Sequence, residues 1–110
     1  MSLQVQFSQR AKRDVREIQS WIKGRSSQGA ANWLASLERA VFQLTEFAVS
    51  SPAAPEADEI GVDLKQRIFK TRRGNSFRLL FIMRGDTVHI LAVRGAGQNL
   101  LSDDDIEIPE

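Results

Sequence analysis

Eight bases and one acid occupy residues 64–94: Lys65, Arg67, Lys70, Arg72, Arg73, Arg78, Arg84 and Arg94 against Asp86. The run LKQRIFKTRRGNSFRLLFIMRGDTVHILAVR carries a net charge of +7. An arginine fork grips phosphate bidentately, and a lysine supplies a point charge. Such groups on a rigid frame suit a nucleic-acid backbone, or the charge that builds up when a phosphoryl group is transferred. The plainer reading is that strands expose Lys and Arg for solubility and edge protection. Arg78 favours the first, because it interrupts an otherwise apolar strand, where an unpaired charge is costly.

Other chemistry is bounded by composition. The chain has no cysteine and one histidine, His89, so disulfides, thiolate nucleophiles and His or Cys zinc clusters are excluded. No cofactor or metal is expected. His89 is the one side chain that titrates near neutrality unperturbed, and it reads as a structural or partly exposed histidine rather than a general base. Arg72, Arg73 and Arg84 fall at turns and read as solvated. The acids Glu56, Asp58 and Glu59 lie close enough in sequence to screen them within a Debye length of ~8–10 Å. Arg84-Gly85-Asp86 is a hairpin turn.

The total charge is only +1 because the blocks oppose one another. Residues 8–45 sum to +4, residues 46–63 to −5, and the tail 103–110 to −5. At 110 residues the chain is one domain by the length prior. The segment MSLQVQFSQR has no long apolar stretch, so neither a signal peptide nor a membrane span is expected, and the cytoplasm is the default location.

The elements that must position these residues follow from periodicity. Leu3, Val5 and Phe7 alternate with Gln4 and Gln6 as a short half-buried strand. Ser8 can cap the helix that follows. Ala11, Val15, Ile18 and Ile22 form its apolar stripe over about residues 9–24. A second helix over about 29–48 has its stripe at Ala30, Leu34, Leu37, Val41 and Leu44. Trp21, Trp33 and Phe42 lie off or beside the stripes and are either a partner surface or extra core. Pro52 and Pro55 mark a loop. Three strands follow at about 64–71, 76–83 and 87–94, joined by turns at Gly74-Asn75 and Gly85-Asp86. In the second, Phe77, Leu79, Phe81 and Met83 face one side and Arg78, Leu80 and Ile82 the other. In the third, Val88, Ile90 and Ala92 oppose Leu91 and Val93. The predicted class is α+β, in the order β-α-α-β-β-β, with the helical hairpin on one face of a mostly antiparallel sheet. Residues 1–101 form the domain and 102–110 an acidic tail. That tail is either solvated, or an arm folded over the basic face with Ile106 and Ile108 adding an edge strand.

Three segments carry a resemblance. They are Val5-x-Phe7-Ser8-x-x-Ala11-x-x-Asp14-Val15-x-x-Ile18, Ser76-Phe77-Arg78-Leu79-Leu80-Phe81, and Val88-His89-Ile90-Leu91-Ala92-Val93-Arg94 running into Gly95-Ala96-Gly97-Gln98-Asn99. In this order and spacing, over about residues 3–100, the chain resembles the RelE/ParE superfamily of type II toxin–antitoxin toxins, the plasmid stabilisation proteins. The resemblance implies a cognate antitoxin that wraps the helices or the sheet. It also implies one of two targets: ParE-like members block DNA gyrase, and RelE-like members cleave ribosome-bound mRNA without a metal. For the nuclease branch it implies catalytic roles for Arg78, Arg94, Lys65 and Arg67. Lys70, Arg72 and Arg73 are then candidates for nucleic-acid or target binding. Many nuclease members place a Tyr or His beyond the last strand. This chain has no tyrosine, and GAGQNLLSDDD after Arg94 has neither His nor an aromatic residue. A missing general acid or base typically costs 10²–10⁴-fold, which shifts weight toward a non-nuclease toxin. The alternative is a non-toxic, degenerate module of the same fold that binds nucleic acid or protein.

Overall fold

Ser8 makes the first joint between helix and sheet. Its Oγ accepts from the Ala11 N–H at 3.0 Å, capping a helix, and donates to the Leu91 carbonyl at 3.1 Å. The computed structural model describes residues 3–71, 75–95, 101, 105, 106, 108 and 109. Its elements are β1 (Gln4–Phe7), α1 (Gln9–Lys23), α2 (Ser27–Phe47), a four-residue turn of helix α3 (Ala57–Ile60), β2 (Lys65–Lys70), β3 (Ser76–Arg84) and β4 (Thr87–Gly95). The strands form one sheet in the order β1-β4-β3-β2. β1 lies parallel to β4, and the other pairs are antiparallel. The fold is α+β, as the periodicity predicts, with α3 as an addition inside the proline-marked loop.

The helical hairpin packs on one face of the sheet. That core contains Ala11, Trp33, Leu37, Ala40, Leu44, Leu79, Phe81, Val88, Ile90 and Val93. The stripe of α2 is rotated from the predicted one. Trp33 and Ala40 are buried, while Leu34 and Val41 are only half-buried. Trp33 draws the helix round, because its indole packs edge-on to Phe77 with centroids 5.7 Å apart and tilted to Phe69 at 6.4 Å.

β4 departs from simple alternation. Its register with β3 slips between Leu80 and Phe81, which face Ala92 and Ile90, so Leu91 is an extra, bulged residue. Val88, Ile90 and Val93 therefore face the helices, and Leu91 and Ala92 both face away. The expected grouping of Ala92 with Val88 and Ile90 is corrected by that one residue. His89 and Arg94 share the far side of β4, since the bulge lies between them. β1 ends opposite Ile90, and beyond it the outer edge of β4 pairs with no strand among the described residues. Side chains of the α1 region complete that edge. Ser8 takes the Leu91 carbonyl, and Asp14 Oδ2 accepts the Val93 N–H at 3.0 Å.

The second face of the sheet is covered as well. Ala54, Leu64, Leu80, Ile82, Leu91, Ala92, Leu101 and Ile106 form a smaller core there, flanked by Ala57, Ile60, Val62 and Ile108. The loop with α3 and the acidic arm thus make a third layer. Asp105 accepts through its carbonyl from Arg10 Nη1 at 2.8 Å, and Ile106 is buried. Among the described residues of the arm, none belongs to a strand.

Candidate functional site

The basic residues divide by strand parity. Lys65 and Arg67 stand opposite Phe81 and Leu79 and share their helix-facing side. Arg78 and Arg94 stand opposite each other on the far side. The four cations expected to work together therefore form two pairs on opposite faces, and the sheet offers no open basic plate.

Arg78 is 7% exposed and paired. Its Nη1 donates to Glu56 Oε1 at 2.9 Å and its Nη2 to Glu56 Oε2 at 2.8 Å, a fork-on-fork pair. Gln66 Oε1 accepts from Nη1 at 3.1 Å, and the Leu101 N–H donates to Glu56 Oε2 at 3.2 Å. Burial alone would push the Glu56 carboxyl up, but the Arg78 guanidinium and the Leu101 amide outweigh it and hold it below the usual range. Proline-flanked loop geometry brings Glu56 here. Ala54 and Leu64 pair backbone to backbone, and Gln66 N–H donates to the Pro52 carbonyl, which lays the loop along β2. Glu56 is thus the partner of a central-strand arginine.

Lys65 Nζ lies 3.2 Å from the Ser51 carbonyl and 3.5 Å from that of Val49, just beyond the C-terminus of α2. Arg67 donates to Gln43 Oε1 at 3.2 Å, with its guanidinium 5.2 Å from the Phe47 ring centre. Arg67 ties β2 to α2, and Lys65 ties it to the segment just after α2. Arg94, half-buried, lines a groove of about 320 Å³ with Arg10, Arg13, Asp14, Glu17, Ile18 and Val93. Arg72 and Arg73 lie outside the described residues. His89 is half-buried beside Gln6, Leu91, Ile108 and Pro109.

Lys70 is exposed, at the end of β2. It shares a groove of about 330 Å³ with Asn32, Ala35, Ser36 and Arg39 of α2 and with Thr71. Arg39 is a cation that sequence reading passed over. Its signal was available: Asn32, Ala35, Ser36 and Arg39 recur at helical spacing beside the apolar stripe. Asp14 and Glu56 were missed as anchors because each acts on backbone or side chains far along the chain.

Three aromatics lie on the surface, Phe47 under Arg67 and two further out. Trp21 is 63% exposed, with the Arg25 guanidinium 4.2 Å from its ring centre, and Phe42 is 67% exposed. Trp33 belongs to the core. Among the described residues there is no group of three or more His, Cys, Asp or Glu side chains able to hold a metal. No described helix is long and apolar enough to cross a membrane.

What this geometry presents is a sheet covered on both faces, with its most suggestive arginine neutralised inside. Residues 5–100 match the family model described as the ParE toxin of type II toxin–antitoxin system, parDE. The match covers nearly the whole chain, and the chain belongs to that family. It is accordingly the toxin of a type II toxin–antitoxin module, and an antitoxin is its partner. No curated protein matches the chain.

Proposed function

We propose that this toxin stops growth by blocking DNA gyrase in the cytoplasm, and that it does so without cleaving RNA. The observation that carries the reading is the Arg78–Glu56 pair. Cleavage at a 2′-hydroxyl needs a base for that hydroxyl, a cation for the phosphorane and an acid for the leaving oxygen. Arg78 is one of the four cations to which the superfamily resemblance assigns catalytic roles. Here its charge is matched by a buried carboxylate, with Gln66 on a further N–H. A neutral, buried pair projects little field onto a phosphate outside. Lys65 and Arg67 point to the other side of the sheet and brace α2 and the segment that follows it.

Purified toxin is expected to abolish supercoiling of relaxed plasmid by gyrase and ATP, while the 5′ ends of ribosome-bound mRNA stay unchanged. Full supercoiling at saturating toxin would overturn the gyrase assignment. New mRNA ends that depend on ribosomes and on the toxin would overturn the claim that RNA is spared.

A further inference from the structure

We propose that the groove between α2 and β2 is a phosphate-binding site that holds the backbone of duplex DNA without regard to sequence. For its physiological duplex, the DNA carried by gyrase, the proposal rests on the function proposed above.

The lining is chemically one-sided. It consists of two cations, Arg39 and Lys70, the hydroxyls of Ser36 and Thr71, the Asn32 amide and the Ala35 methyl. Among the described residues no carboxylate lies within 4 Å of either cation, whereas Arg10 and Arg78 each have one. Glu38 and Glu46, the acids of α2, do not line the groove. Asn32 accepts from Gln28 Nε2 through its Oδ1 at 3.0 Å, which leaves its Nδ2 hydrogens to donate outward. Ser36 and Thr71 now donate to the nearby carbonyls of Asn32 and Asn75, and a turn of either hydroxyl frees it for a ligand.

Size and texture select among anions. From Asn32 to Arg39 the helix rises about 10 Å, the axial span of roughly three phosphates on one strand. Ala35 is the one apolar side chain in the lining, too small to build a pocket for a peptide's anchoring residue, which argues against an acidic protein segment. The exposed Trp21 and Phe42 do not line it. Without an aromatic platform it cannot stack unpaired bases, which argues against single strands. Backbone contact to a duplex remains, and such contact positions a protein without reading sequence.

The test uses the full chain and a labelled 20-base-pair DNA duplex, with affinity measured by anisotropy between 50 and 200 mM salt. Each phosphate neutralised contributes about 0.9 to the slope of log affinity against log salt. The double variant Arg39→Gln/Lys70→Gln is expected to flatten that slope by about 1.8. Its affinity then changes roughly tenfold less than wild type across the salt range. Thermal melts check folding, since both side chains are exposed. Lys12→Gln/Arg16→Gln, two exposed cations of α1, should leave the slope unchanged. The proposal is overturned if wild type does not bind, if the groove variant keeps the wild-type slope, or if the α1 variant loses as much. It is equally overturned if single-stranded RNA or an acidic peptide binds more tightly than the duplex and depends on the same pair. Gyrase inhibition is scored separately. A wild type that binds duplex through the groove but leaves gyrase active refutes the function above and not the site.

Discussion

Replacing Arg78 by methionine keeps much of the stem's volume and removes the fork that Glu56 accepts. The Glu56 side chain is fully buried and would keep one of its three inter-residue hydrogen bonds, that from the Leu101 N–H. Gln66 Oε1 would lose its donor too. Removing one partner of a buried pair typically costs about 3–5 kcal/mol, against about 5–15 kcal/mol for the stability of a whole domain. With a urea m-value of about 2 kcal/mol/M, the midpoint of unfolding followed by circular dichroism should fall by roughly 2 M at pH 7. Removing both charges, in Arg78→Met/Glu56→Leu, leaves an apolar contact and should bring stability back to within about 2 kcal/mol of wild type. The pH dependence has a definite sign. The folded-state pKa of Glu56 is depressed, so its contribution is fully present above the unfolded value of about 4.3 and is lost as pH falls through the folded value. Glu56→Gln should therefore flatten the acid limb of the stability profile. A cost below about 1 kcal/mol for Arg78→Met, or a double variant as unstable as the single one, would refute the structural assignment of the pair.

Further outcomes follow from other contacts. The folded Arg78→Met/Glu56→Leu variant should still inhibit growth when expressed without antitoxin, and a harmless but folded variant would return Arg78 to the working surface. Asp14→Ala strands the Val93 N–H and releases Arg10, and should cost about 2–3 kcal/mol in urea titrations. Ser8→Ala removes a cap and the Leu91 contact and should cost about 1 kcal/mol or somewhat more by the same measurement. Ile106→Ala should cost about 2 kcal/mol and raise binding of an apolar dye at the uncovered Leu80, Ile82 and Leu91; unchanged fluorescence would mean the arm does not seal that face.

The helices and strands were legible because each carries one apolar face at its own period. Strand parity alone also turns Arg78 away from the helices. Its fate was not legible. The partner Glu56 lies 22 residues upstream in a proline-marked loop, which has no periodicity to show which face it covers. The β4 bulge was hidden for a related reason. The alternation of TVHILAVRG survives on paper in Thr87–Gly95, while the extra residue at Leu91 is fixed by Ser8 and Asp14 from the other end of the chain. The site suffered most, because pairing Lys65 and Arg67 with Arg78 required knowing the register of β2 on β3. That register puts Arg67 against Leu79 and sets the two basic pairs back to back. Arg39 needed the converse, a helix residue brought beside a strand end that local pattern cannot join.

The parallel pairing of β1 with β4 has a consequence for synthesis. Val5 waits for Val88, and the Ser8 cap is completed only by Leu91. A chain leaving the ribosome N-terminus first can form its helical hairpin early, from neighbouring residues. It cannot close the sheet until nearly all of the domain has emerged, and such long-range closure is slow. Until then the apolar side of the hairpin is unroofed. The nascent toxin thus passes through an interval in which it is already sticky and not yet harmful, and a partner present at the ribosome could meet it there first.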